Sequence, residues 1–154
     1  MTPPKVFAGA TRAAAPLDRA STPKEERRLA KAAHDELRLI GVPRVNLLLM
    51  GSDGVIRNVL DSLVRGLHEP IASWFPGERL VLPPVDRAGT MVLHDVGALA
   101  IPEQIQLLEW LGQAMGRTQV VSTTPAPLLP RVQAGAFIDT LYYRLNTVCV
   151  DVTV

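Results

Sequence analysis

Val45-Asn46-Leu47-Leu48-Leu49-Met50-Gly51-Ser52-Asp53-Gly54-Val55-Ile56-Arg57-Asn58 is an apolar strand pattern that leaves through a glycine turn into a helical one. Val45 to Met50 is almost continuously apolar, the pattern of a strand covered on both faces. The same succession recurs along the chain. Further strands are expected at 79–82 (Arg79 to Leu82), 90–95 (Thr90 to Asp95), 119–123 (Gln119 to Thr123) and 147–154 (Thr147 to Val154). Helical stretches fall at about 55–67, 102–115 and 130–145, and Leu107, Leu108 and Leu111 supply the apolar stripe of the middle one. Such alternation specifies a three-layer α/β domain, a mostly parallel five-stranded sheet between helices joined by right-handed crossovers.

Residues 1–21 are rich in Ala, Pro, Thr and charge without periodicity, and are expected to be a disordered leader to a domain at 22–154. Thr22 opens order as a helix cap, with Pro23 at the first helical position and Glu25 completing a capping box. Leu29, Ala33, Leu37 and Ile40 then recur at helical spacing until Gly41 and Pro43 stop the helix. Residues 1–44 hold nine Lys or Arg against five Asp or Glu, and the remainder seven against ten. The basic arm could meet a phosphate backbone or an acidic protein, but a solvated tail and charged helix face are the simpler reading, and no DNA-reading motif accompanies it.

One domain with a buried core is what 154 residues of 47% hydrophobic composition provide. A net charge of +1 gives no global pull toward nucleic acid or an acidic membrane. Cys149 is the only cysteine, which excludes an internal disulfide; it lies in an apolar alternating run and reads as a buried, inert thiol. His34, His68 and His94 lack Cys or acidic partners at ligand spacing, so no metal site is expected. Neither a membrane-crossing run nor a secretion signal is present, which makes the cytoplasm the simplest location.

In a parallel sheet, ligands bind beyond the carboxyl ends of the strands, so the turn at Gly51 is where a phosphate-binding loop would sit. In the pattern G-x-x-x-x-G-K-[ST] the second glycine lets the backbone curl around phosphate, the lysine meets the outer phosphates and the hydroxyl holds Mg²⁺. Those three positions are Ile56, Arg57 and Asn58. A β-branched residue resists positive φ and intrudes where the glycine backbone would approach the ligand. Arg57 keeps the charge without the compact ammonium, and Asn58 is a poor substitute for a metal-bound hydroxyl. Gly51, Gly54, Arg57 and Asn58 nevertheless remain the candidate nucleotide contacts on this side, through backbone amides at the helix start.

The second half carries more specific blocks. Ala88-Gly89-Thr90-Met91-Val92-Leu93-His94-Asp95-Val96-Gly97-Ala98-Leu99 is similar to the G-G-T-L-F-L-D-E-[IV]-G-E-L segment of the AAA+ ATPase domain in bacterial activators of sigma-54 RNA polymerase. Gln104, Leu107, Leu108 and Leu111 fall where that family has Q-x-x-L-L-x-x-L, and Val120 to Thr124 resembles its V-I-A-A-T-N strand. Ala134-Gly135-Ala136-Phe137, then Asp139-Thr140-Leu141-Tyr142-Tyr143-Arg144-Leu145-Asn146, resembles A-G-x-F-R-x-D-L-Y-Y-R-L-N. The blocks span roughly Leu37 to Val154. The resemblance implies strand order 5-1-4-3-2, counted from the Val45 strand.

Carried across residue by residue, it also implies losses. The Walker B pair, which organises Mg²⁺ and polarises the attacking water, corresponds to His94 and Asp95. Asp95 is one methylene short and His94 is a poor Mg²⁺ ligand. The sensor asparagine corresponds to Pro125; of two arginines acting in trans, the first corresponds to Ile138 and the second survives as Arg144. The family's long insertion with its G-A-F-T-G-A loop, which touches sigma-54, is replaced by the short Leu82-Pro83-Pro84-Val85-Asp86-Arg87 link. A helical lid subdomain, a receiver domain and a DNA-binding helix-turn-helix are likewise expected to be missing.

The expected function is therefore a non-catalytic regulatory or adaptor role, a pseudo-ATPase acting by protein binding in transcription or signalling, with no catalytic residues. Its partner would be a second copy or an AAA+ activator met through Tyr143 and Arg144, with no contact to sigma-54, DNA or membrane. The alternative is a P-loop protein that holds ATP and Mg²⁺ without efficient hydrolysis; a decayed remnant of a longer activator is a third reading. Tyr142, Tyr143, Leu141 and Leu145 also fit as packing residues of the last helix, Arg144 as a surface or packing residue, Trp74 and Phe75 as core in preference to an apolar surface anchor, and Asp53 with Asp95 as a carboxylate pair too common to mark an enzyme.

Overall fold

The computed structural model describes residues 5–8, 22–40 and 45–152. Its elements run β1 (Lys5–Ala8), α1 (Pro23–Ile40), β2 (Leu47–Met50), α2 (Asp53–Leu63), β3 (Ile71–Trp74), β4 (Gly89–Leu93), α3 (Ile101–Ala114), β5 (Thr118–Thr124), α4 (Leu129–Gln133), α5 (Asp139–Leu145) and β6 (Val148–Asp151). The sheet order is β1-β6-β2-β5-β4-β3. Strands β2 to β6 are mutually parallel, in register such as Leu47↔Val121 and Leu47↔Val148, and they follow the expected order 5-1-4-3-2. No helical lid stands among the described residues.

Three expectations need correction. Lys5–Ala8 lies inside the stretch read as a structureless leader, yet it pairs antiparallel with β6, Lys5 opposite Asp151 and Ala8 opposite Val148. The rest of the leader, and the stop at Gly41 and Pro43, fall outside the described residues. Arg79 to Leu82 is not a strand; the second parallel strand is Ile71–Trp74. The 78–85 segment is instead strapped across the domain. The indole of Trp74 donates to the Glu78 carbonyl (2.9 Å), that of Trp110 to the Pro83 carbonyl (2.7 Å), and Leu80 is buried beneath. The helix expected at 130–145 is two, α4 and α5, separated by a turn in which Gly135 adopts φ +77°.

Strand alternation builds the layers. Leu48 and Met50 of β2, with Met91, Leu93, Val120 and Cys149, pack under α3 and α5. Leu47 and Leu49, with Val92, Val121 and Val150, face Leu29 of α1 and Val55, Ile56 and Val59 of α2. Period-two alternation thus feeds two cores, one on each side of the sheet. The capping box forms as read: Glu25 N–H donates to Thr22 Oγ1 (3.2 Å), and Thr22 N–H to Glu25 Oε2 (2.9 Å). Lys24, Arg27, Arg28 and Lys31 are exposed, the basic outer face of α1.

Candidate functional site

A cleft of about 600 Å³ opens beyond the carboxyl ends of the parallel strands, walled by the residues that follow them: Gly51 after β2, Phe75 after β3, His94 and Asp95 after β4, Pro125 after β5. Its remaining flank is α2, where Asp53, Ile56, Arg57, Leu60 and Asp61 fall at helical spacing along one side.

Of the expected nucleotide-side residues, Gly51, Arg57, His94 and Asp95 come together here, while Gly54 and Asn58 stand outside the lining. The Asn58 carbonyl accepts from Ser62 Oγ (2.9 Å), and Gly54 lies beneath the Glu26 carboxylate of α1. Gly51 is needed for packing, since a Cβ there would collide with the Val152 side chain. Its N–H donates to the Thr124 carbonyl (3.1 Å), tying the turn to β5.

The turn itself is short. Helix α2 begins at Asp53, two residues after Gly51, and the Ile56 N–H already donates to the Ser52 carbonyl at 2.9 Å. The expected backbone clash at Ile56 takes another form: the residue is helical and 7% exposed, and its side chain joins the core under the sheet. Amides that would curl around a phosphate are therefore wound into the helix, leaving only its first-turn donors.

Across the cleft, Asp95 adopts the left-handed conformation (φ 49°, ψ 63°), and its N–H donates to Thr123 Oγ1 at 2.9 Å. Asp tolerates that region better than most residues. The His94 N–H extends the β3–β4 ladder by donating to the Trp74 carbonyl (3.0 Å). The imidazole stacks on Phe75 with ring centroids 4.0 Å apart and planes 8° from parallel. Burial pushes the His94 pKa below its ordinary value, with the negative charge of Glu78 opposing, so the ring is neutral at pH 7. Trp74 is core as expected, but Phe75 is not; it is 47% exposed at the cleft wall.

The remaining candidates lie elsewhere. Ile138 donates its N–H to the buried Gln104 Oε1 (2.8 Å). On α5, Leu141, Tyr142 and Leu145 are buried as packing residues, whereas Tyr143 is 61% exposed and Arg144 is exposed beside it. Packing therefore does not account for Tyr143. Among the described residues, no group of three or more His, Cys, Asp or Glu is placed to hold a metal ion. No helix there is long and apolar enough to cross a membrane. Sequence reasoning missed Asp61 and the Phe75–His94 stack. Asp61 sits at i+4 from Arg57, a spacing that could have found it; the stack joins residues 19 positions apart and leaves no local signal.

This strand-end cleft beside a helix start is set in a sheet of AAA+ type order, and the family model described as the sigma-54 interaction domain matches residues 27–154. The chain belongs to that family. Two solved structures of NtrX from Brucella abortus share the fold of this sigma-54 interaction domain. The complex with ATP superposes with a TM-score of 0.60 at 16% identity, covering 89% of this chain and 38% of that one. The complex with ADP gives 0.59 at 16% identity, with 81% and 36% covered. The chain thus spans less than two-fifths of the length of NtrX. No curated protein matches it.

Proposed function

We propose that this chain is a non-catalytic regulatory or adaptor protein, a degenerate relative of the activator ATPase domain that works by binding another protein in transcription or signalling. The observation that carries the proposal is the winding of the phosphate-loop region into α2 from Asp53, with the Ile56 amide spent on Ser52 and its side chain in the core. His94 and Pro125, standing in the cleft where the family has a Walker B acid and a sensor asparagine, support it independently. The exposed Tyr143 and Arg144 of α5 offer the partner surface, toward a second copy or an intact AAA+ subunit. Contact with sigma-54, DNA or membrane forms no part of the proposal, and the cytoplasm is its proposed location.

The test is hydrolysis. The purified protein with Mg²⁺ and ATP is expected to release phosphate no faster than a buffer control, whereas turnover abolished by Arg144→Ala would overturn the reading. A second reading, that nucleotide is held without hydrolysis, is favoured by the cleft itself, whose volume suits a small ligand. Calorimetry with ATP, ADP and GTP separates the two, because only the second reading gives a saturable heat.

A further inference from the structure

The charge of the cleft is the wrong sign for a polyphosphate. Asp53, Asp61 and Asp95 line it against a single guanidinium, Arg57, which leaves two net negative charges (three minus one) with His94 neutral. Among the described residues, no side-chain hydrogen bond or ion pair joins any of these four to the rest of the protein. Their charges are therefore free to act on a ligand.

Besides Arg57, the cleft's anion-attracting feature is the start of α2, and it is already answered. A helix N-terminus presents about half a unit of positive charge. Asp53 stands in the first turn of α2, and the Glu26 carboxylate lies against Gly54, where a Cβ would come within 2.7 Å of Glu26 Cδ. The Glu26 carboxylate thus opposes the positive end of the helix, and Asp53, exposed at the cleft, adds negative charge on the same side.

The apolar part of the cleft asks for a flat ligand. Phe75, held parallel to His94, keeps nearly half its surface open, and Leu60, Pro76 and Pro125 supply further apolar walls. A planar group extends such a stack, and a cation gains further from the ring face. An amidine or guanidine also matches a carboxylate with two parallel N–H donors. We propose that this cleft binds a flat organic cation, an aromatic amidine or guanidine being the matching class, in preference to a nucleoside polyphosphate. The inference goes beyond the adaptor reading, since it assigns a ligand to the cleft whether or not α5 meets a protein partner.

Calorimetry on the full chain at low salt tests it with four probes. Benzamidine carries the charge, benzamide is its neutral isostere, benzoate its anionic counterpart, and ADP the family-type ligand. Benzamidine is expected to bind at least about tenfold more tightly than benzamide, with benzoate and ADP below detection. Asp61→Asn and Asp95→Asn should each weaken benzamidine about three- to tenfold, the modest end reflecting solvent screening of exposed charge, and Arg57→Gln should tighten it. Asn is tolerated at the left-handed position 95, and unchanged melting temperatures would certify that the variants fold. Absent benzamidine binding, binding indifferent to both Asp variants, or benzoate or ADP binding as tightly as benzamidine would each overturn the proposal. Phosphate release is a separate readout, so failure here leaves the hydrolysis test unaffected.

Discussion

Gly51 stands where a side chain has no room. A Cβ there would run into the Val152 Cγ2 methyl and lie 3.6 Å from Val152 Cβ, while the Val152 N–H is fixed to the Met50 carbonyl at 2.8 Å. Gly51→Ala is therefore expected to destabilise the fold by about 1–3 kcal/mol, the usual cost of overpacking. Urea melts of Gly51→Ala, Val152→Ala and the double variant check the cause, since relief of the clash requires a coupling energy above about 0.5 kcal/mol. Additive effects would show that the glycine serves something other than this contact. Cys149 gives a pH-dependent counterpart. Burial, with the Asp151 charge adding, pushes its thiol up to about 12 from an ordinary 9.0. The unfolded chain ionises first, so the stability from this group is complete below pH 9 and is lost as pH rises toward 12. Iodoacetamide at pH 8.5 is expected to leave native Cys149 unmodified and to alkylate it readily in urea; rapid native alkylation would contradict the burial.

Helix α3 is anchored through one buried polar residue. Gln104 is 0% exposed; its Nε2 donates to the Leu99 (2.9 Å) and Ala136 (3.0 Å) carbonyls, and its Oε1 accepts the Ile138 N–H. This one side chain joins the start of α3 to the turn that launches α5. Gln104→Leu keeps the size and strands two carbonyls and an amide, at an expected cost of about 3 kcal/mol, read as a lowered denaturation midpoint. A loss below about 0.5 kcal/mol would mean that water takes over those bonds. Gln104 and Val120 to Thr124 of β5 were legible because the family blocks carried them, and β2, β4 and β6 because their runs are nearly continuously apolar and bounded by turns. The second parallel strand was not. Ile71-Ala72-Ser73-Trp74 is short, interrupted by Ser73 and bracketed by Pro70 and Pro76, whereas Arg79-Leu80-Val81-Leu82 has the longer unbroken apolar run. Tertiary bonds reversed that preference: the two indoles hold the 78–85 backbone across the domain, and Val81 is left 70% exposed. Strand β1 was missed because four residues inside an Ala- and Pro-rich stretch are extended only by pairing with the edge of β6. In the site, Arg57 was legible as the lysine position of the phosphate-loop pattern and His94 and Asp95 because they follow a strand, while the cleft's net charge became visible only once α2 brought Asp61 beside them.

At the scale of the domain, α5 of this sigma-54 interaction domain exposes Tyr143 and Arg144 together with Asp139 and Thr140, and the proposed adaptor role turns on what that surface meets. The Tyr143 ring lies edge-on to that of buried Tyr142 (5.2 Å between ring centroids, 65° between planes), and the residue is 61% exposed. An exposed aromatic beside an arginine is the composition enriched at protein–protein contacts. In the family's rings, neighbouring subunits meet near this helix and complete each other's sites with arginines in trans. By the motif resemblance Ile138 stands at the first of those positions, and its amide is tied to Gln104. A copy of this chain seated beside an intact ATPase subunit would thus face the neighbour's nucleotide without the finger, a group worth about 10³-fold or more in phosphoryl transfer. Mixing the protein with an AAA+ activator from the same cell is accordingly expected to lower the activator's ATPase rate, by about half or more at equimolar ratio if each inserted copy silences the site it faces. Tyr143→Ala or Arg144→Ala, with an unchanged melting temperature, should restore the rate, because both side chains are exposed and their removal leaves the core intact. An unchanged rate at large excess, together with no complex by gel filtration, would refute the insertion and leave only self-association or an unrelated protein as the occupant of α5.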